Sequence, residues 1–177
     1  MSADPLDRLA AEAGVDEAVR RLGHQAWLRR RAEESASLLG LLADLAERRD
    51  PVEVLLVGGA RRHGHIETVG TDLVGVRLDD RRLALVARRA LAAIRPDRGV
   101  PDLVGDRTVH RDGPRLREVL DELVADQPRV TVTLVGTLEP VDGVLERLGR
   151  DVLLVREADG TATHLPVGAV VEVLVAD

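Results

Sequence analysis

The chain has 177 residues, 45% of them hydrophobic and 32% charged, with a formal net charge of −6, the profile of a globular protein able to bury one or two small cores. It has no Cys, no Phe and no Tyr, and its 25 basic residues are all Arg. The missing Lys excludes Walker-type phosphate loops, Schiff bases and lysine general bases; the missing Cys excludes disulfides, thiolate nucleophiles and sulfur-ligated zinc.

The opening residues, Met1-Ser2-Ala3-Asp4-Pro5-Leu6-Asp7, lack the basic start and apolar run of a secretory signal. No apolar stretch approaches the ~20 residues that span a bilayer, so a cytoplasmic protein without a membrane partner is expected. Residues 1–50 are expected to form a helical arm, with one stretch from about Pro5 to Arg31 and a second carrying Leu38, Leu41, Leu42 and Leu45 at helical spacing. Trp27, the only aromatic residue, sits in this arm ahead of Arg29-Arg30-Arg31. It has two readings: an anchor for a partner's groove, or a side chain packed across the arm onto the next domain.

From residue 51 the period changes to two. Val52, Val54 and Leu56 alternate with Glu53 and Leu55, and strands are expected near Gly64–Val69, Leu73–Arg77, Leu83–Val86 and Leu91–Ile94. A linker is expected over residues 97–113, where Gly99, Pro101, Gly105 and Gly113 lie among alternating charges. Beyond it, Leu116, Val119, Leu120, Leu123 and Val124 form a helical stripe behind Pro114. Strands then follow near Val130–Leu134, Gly143–Leu148, Val152–Arg156, Ala162–Leu165 and Val170–Val175.

The second set of elements repeats the first. Gly64-His65-Ile66-Glu67-Thr68-Val69-Gly70-Thr71-Asp72-Leu73-Val74-Gly75-Val76-Arg77 aligns with Gly143-Val144-Leu145-Glu146-Arg147-Leu148-Gly149-Arg150-Asp151-Val152-Leu153-Leu154-Val155-Arg156. Gly, Glu, Gly, Asp, Val and Arg recur in place. The match extends upstream, through one inserted residue, to Val52–Gly58 against Val130–Gly136, and downstream to Ala90–Ile94 against Ala169–Val173. A tandem duplication follows.

Five short strands behind a helix, with glycines where a small sheet must bend, describe an SH3-like or Sm-like barrel. The expected fold is therefore α+β: a helical arm over 1–50, a first small β-barrel over 51–96, the linker, and a helix plus second barrel over 114–177. The run Val130–Gly136 through Gly143-Val144-Leu145-Glu146 to Leu154 resembles the first sequence motif of the Sm-like (LSm/Hfq-like) family. That resemblance implies the barrel fold and an ancestry among RNA binders. The family's usual Asp is replaced by Gly70 or Gly149, its base-stacking aromatic is absent, and its Tyr-Lys-His run reads Ala87-Arg88-Arg89 or Pro166-Val167-Gly168. The RNA-binding motif residues are not retained.

Charge is uneven. Residues 51–96 hold eight Arg against five acids, whereas 127–177 hold four Arg against eight acids. Arg61, Arg62, His63 and His65, with Arg81, Arg82, Arg88 and Arg89, are thus the candidate binding residues, together with Trp27. Guanidinium groups suit phosphate; the alternative reading is a set of ordinary solvated turn residues offset by nearby acids. His63 and His65 would share a strand face, but with no third ligand identifiable no metal site is expected. Ser2, Ser35 and Ser37 have no nucleophile-elbow context, and Gly58-Gly59 with Gly64 is no dinucleotide fingerprint.

No enzyme and no cofactor are expected. The sequence favours a non-catalytic adaptor or regulatory protein acting through protein contacts, its open strand edges pairing with a partner or with itself. The alternative is an Sm-like nucleic-acid binder using the first Arg cluster.

Overall fold

The computed structural model describes residues 37–97, 113–137 and 139–176, together with Gly23, His24, Trp27, Arg30 and Arg31. Most of the expected arm and linker lies outside the described residues. The chain divides into two compact units, residues 1–41 with 101–108, and residues 42–100 with 109–177. The second unit holds ten strands: β1 Pro51–Leu56, β2 Arg61–Val69, β3 Leu73–Leu78, β4 Leu83–Ala87, β5 Leu91–Pro96, β6 Arg129–Leu134, β7 Val141–Leu148, β8 Val152–Arg156, β9 Ala162–Pro166 and β10 Val170–Val175. Helix α1 spans Leu38–Arg48 and helix α2 spans Leu116–Val124.

The expectation of two separate barrels is overturned. All ten strands belong to one antiparallel sheet in the order β5-β1-β2-β3-β4-β10-β6-β7-β8-β9, which does not close on itself. The join is β4 against β10, with Val86 opposite Glu172, Leu85 opposite Val173, Ala84 opposite Leu174 and Leu83 opposite Val175. Alternation identifies strands and their faces but does not say which edges meet. Here the last strand of the second half covers the fourth strand of the first.

The duplication is carried into the hydrogen bonding. Each half has the same internal order, with its fifth strand beside its first. A bulge falls between Ile66 and Thr68 in one half and between Leu145 and Arg147 in the other. Gly70 N–H donates to the Leu73 carbonyl at 2.9 Å, and Gly149 N–H to that of Val152 at 2.8 Å. Arg88 N–H donates to Asp72 O as Val167 N–H donates to Asp151 O, both at 2.8 Å. Arg77 pairs with Glu67 and Arg156 with Glu146. Arg49 and Gln127, the residues that turn each helix into its first strand, both take positive φ, 52° and 46°.

Two mid-strand glycines let the strands cross closely. A Cβ on Gly64 would lie 2.1 Å from the Arg77 carbonyl oxygen, and one on Gly143 would lie 2.3 Å from that of Arg156. Both distances are below contact, so any side chain would push the paired strands apart. The core is aliphatic, with Val52, Val54, Ile66, Leu73 and Val76 buried in one half and Val132, Leu145, Leu153, Val155 and Val173 in the other. Helix α1 buries Leu42 and Leu45. Helix α2 contacts β7 and buries Leu116 and Leu120, each stabilising by about 1.5–3 kcal/mol.

The start of α2 is held by the other half of the chain. Asp72 Oδ1 accepts from Leu116 N–H at 2.7 Å, and the Thr71 hydroxyl donates to the Gly113 carbonyl at 2.7 Å. Glu118 adds a local cap, accepting from Arg115 N–H at 2.8 Å. Among the described residues no helix is long and apolar enough to cross a membrane.

Candidate interaction surfaces at the junction and the open edges

Two of the eight sequence-selected Arg and His residues cross the junction between the halves. Arg62, on β2, meets Glu172 of β10 in a two-pronged ion pair, Nε to Oε1 at 2.7 Å and a terminal nitrogen to Oε2 at 2.6 Å. Glu172 is fully buried and Arg62 is half-buried. Arg89, in the short turn after β4, donates to the carbonyls of Gly168 at 2.6 Å and Val170 at 2.8 Å. These contacts join the halves through charge-assisted hydrogen bonds, which are stronger than neutral ones.

Arg61, Arg62, His63 and Arg82 do come together, lining one groove of about 450 Å³. Their charge is largely matched. Arg61 donates to both oxygens of Glu53 at 3.2 and 3.1 Å, Arg95 donates to the same carboxylate at 3.1 Å, and His63 Nε2 lies 3.4 Å from it. The Arg61 hydrogen bond is the main reason the Glu53 carboxyl sits below its ordinary range; burial opposes it, and the charges of Arg61, Arg95 and His63 assist. Arg82 pairs with Asp80 at 2.7 Å, and this contact lowers the aspartate and raises the arginine. Asp79 and Asp80 share the groove wall.

The other candidates lie apart from this groove. His65 is half-buried on β2 opposite Arg77. Arg81 occupies the β3–β4 turn with φ 72°, where the second half has Gly160 at 87°. Arg88 is half-buried in the turn after β4. Neither Arg81 nor Arg88 has an ion-paired side chain among the described residues. Trp27 belongs to the first compact unit, where it is half-exposed, stacks on His24 at 6.0 Å and carries the Arg31 guanidinium 5.1 Å from its ring centre. Among the described residues no three His, Asp or Glu side chains gather to hold a metal.

Glu172 is the site residue that sequence reading missed. Its signal is one acid inside Val170-Val171-Glu172-Val173-Leu174-Val175, a run otherwise fit for burial, where a charge requires a partner.

The outer strands differ in exposure from their repeats. In β10 every residue from Val170 to Leu174 is buried, whereas in the equivalent β5 Ala92, Ala93 and Arg95 are exposed and Leu91 and Ile94 half-exposed. Four of the five β4 residues are buried, against only Leu165 in β9. A second groove, of about 470 Å³, lies between the β1–β2 and β6–β7 turns, flanked by the exposed and equivalent Val57 and Val135.

No family model matches the chain, and no curated protein is found to be similar to it.

Proposed function

We propose that the chain is a non-catalytic adaptor or regulatory protein of the cytoplasm that acts through protein–protein contacts made by the outer strands of its sheet. One observation carries the reading: among the described residues β5 and β9 each have a neighbour on one side alone, while their repeats β10 and β4 are paired on both. A strand with one free edge presents unpaired backbone donors and acceptors to any chain that can add a strand. The composition supports the same reading, since the absence of Lys and Cys narrows the available nucleophiles. So does the resemblance to Sm-like proteins, carried by the motif residues alone, because it points to a binding module.

The test replaces Ala93 and His164, one on each outer strand, with Lys in the same chain. Charge on an edge strand opposes added strands while leaving the sheet's own pairing intact. Proteins captured from native extract by the unaltered chain should be lost by the A93K/H164K variant. Retention of all of them would overturn the reading.

A nucleic-acid-binding regulator is the second reading, favoured by Arg81 and Arg88, whose side chains form no ion pair among the described residues. Filter binding against RNA and DNA at low and moderate salt decides it. Binding at low salt that weakens when Arg81 and Arg88 become Ala would favour it; no binding at low salt removes it.

A further inference from the structure

We infer that the groove where the β3–β4 turn of the first half meets β6 and β7 of the second binds a small zwitterion, a free α-amino acid with an uncharged side chain. This site is separate from the outer strands and does not depend on the edge-contact reading. The groove has a volume of about 280 Å³, and its lining includes Arg82, Arg129, Thr131, Asp142, Gly143 and Leu174. Sites for drug-sized ligands run to roughly 300–1,000 Å³, so this one fits a smaller molecule.

The two halves differ on the face that forms it. In the first half Glu53 lies opposite His63 on one side and Arg95 on the other, and residues so paired share a face. Their repeats Thr131, Asp142 and Leu174 keep the same register. The first set is satisfied from within: Glu53 pairs with Arg61 and Arg95, both at 3.1 Å, and His63 lies 3.4 Å from it. In the second half Leu174 replaces Arg95, Pro140 replaces Arg61, and an acid replaces His63. Asp142 is exposed, and its Oδ1 accepts from the Thr131 hydroxyl. Its Oδ2 has no hydrogen-bond partner among the described residues.

A cation of the same kind stands beside it. Arg129, the repeat of Pro51, is exposed at the start of β6, two residues before Thr131 and so on its face. Its side chain makes no ion pair or hydrogen bond among the described residues. Arg82 shares the groove but is already matched by Asp80 at 2.7 Å. The groove thus offers one uncommitted guanidinium and one half-committed carboxylate, with Leu174 the largest apolar side chain in its lining. A simple anion would meet Asp142 and a simple cation would meet Arg129, so a ligand carrying both charges is favoured over either. An α-amino acid gives its carboxylate to Arg129 and donates from its ammonium to Asp142, both as charge-assisted hydrogen bonds.

Titration of the full chain with L-alanine, L-leucine and L-glutamine, followed by amide NMR, should move the Gly143 and Ala176 signals saturably with at least one of them. The amino acid that binds most tightly is then compared with its N-acetyl and its amide derivatives, each of which lacks one of the two charges. Each derivative should bind at least about tenfold more weakly. Arg129→Gln and Asp142→Asn, both at exposed positions, should each weaken the parent amino acid by a similar factor and leave the urea midpoint where it was. The derivatives are tested on the unaltered chain, so their outcome stands whatever the variants do to the fold. No saturable shift with any of the three amino acids overturns the inference. Binding that survives both substitutions places the ligand elsewhere and overturns it too. An N-acetyl derivative that binds as tightly as its parent would mean a simple anion site, and the zwitterion assignment would fall.

Discussion

Glu172 lies at the centre of a run of aliphatic residues, wholly out of water, and accepts two hydrogen bonds from Arg62, a residue 110 positions earlier in the chain. Removing one partner leaves the other charge buried and alone, whereas removing both leaves an apolar contact. Arg62→Ala should therefore destabilise the fold by about 3–5 kcal/mol. The double change Arg62→Met with Glu172→Leu should lie near the unaltered protein. Urea unfolding of the three proteins checks both.

The two close-approach glycines make a sharper steric prediction. Gly64→Ala and Gly143→Ala each drive a methyl group into a carbonyl of the neighbouring strand. Each should cost about 1–3 kcal/mol or more. An alanine at Gly168, where an added Cβ meets nothing within 4 Å, serves as the control and should change the thermal midpoint little.

Arg81 holds the left-handed backbone position that Gly160 fills in the other half. A side chain there costs about 1–2 kcal/mol, so Arg81→Gly should stabilise the protein by about 1 kcal/mol after the added chain entropy of glycine. Gly160→Ala should destabilise it by a similar amount. The Arg81 carbonyl accepts from Arg77 at 2.9 Å, and Arg81→Gly keeps that bond.

Four carboxylates have their ionisation favoured in the folded state: Glu53 by Arg61, Asp80 by Arg82, Glu146 by Arg156, and Asp159 chiefly by the Thr161 backbone N–H. A group whose folded pKa lies below its unfolded value contributes stability above the unfolded value, and loses it as pH falls through the folded one. The ordinary values here are 4.5 for Glu and 3.8 for Asp. Stability from these groups should be level between pH 7 and pH 5.5 and fall toward pH 3. Urea midpoints in that series check it, and added salt should shrink the drop because the pairs are solvent-facing.

The strand segments were legible in the chain because their cause is local, although the two-barrel fold expected from them was not what they form. The alternation from Val52 to Leu56 and from Val130 to Leu134 marks strands wherever they end up, and the glycines that recur at 64 and 143 fall where strands cross closely. The pairing of β4 with β10 was not legible. It depends on two edges separated by most of the second half, and no period records which edge a strand will find. The same gap hid the site. Arg62 and Arg89 read as candidate binding residues or as turn residues offset by nearby acids, because their actual partners, the Glu172 carboxylate and the Gly168 carbonyl, come from the distant half. Arg61 and Arg82, by contrast, are matched by Glu53 and Asp80 close by in the chain.

The covalent link between the halves has a consequence for behaviour on dilution. Because residues 98–112 tie the two halves together, the β4–β10 joint meets its partner at a local concentration fixed by the tether, whatever the amount of protein in solution. The strands at the far ends enjoy no such tether. Contacts proposed for those strands would therefore depend on the amount of protein, while the inner joint stays made.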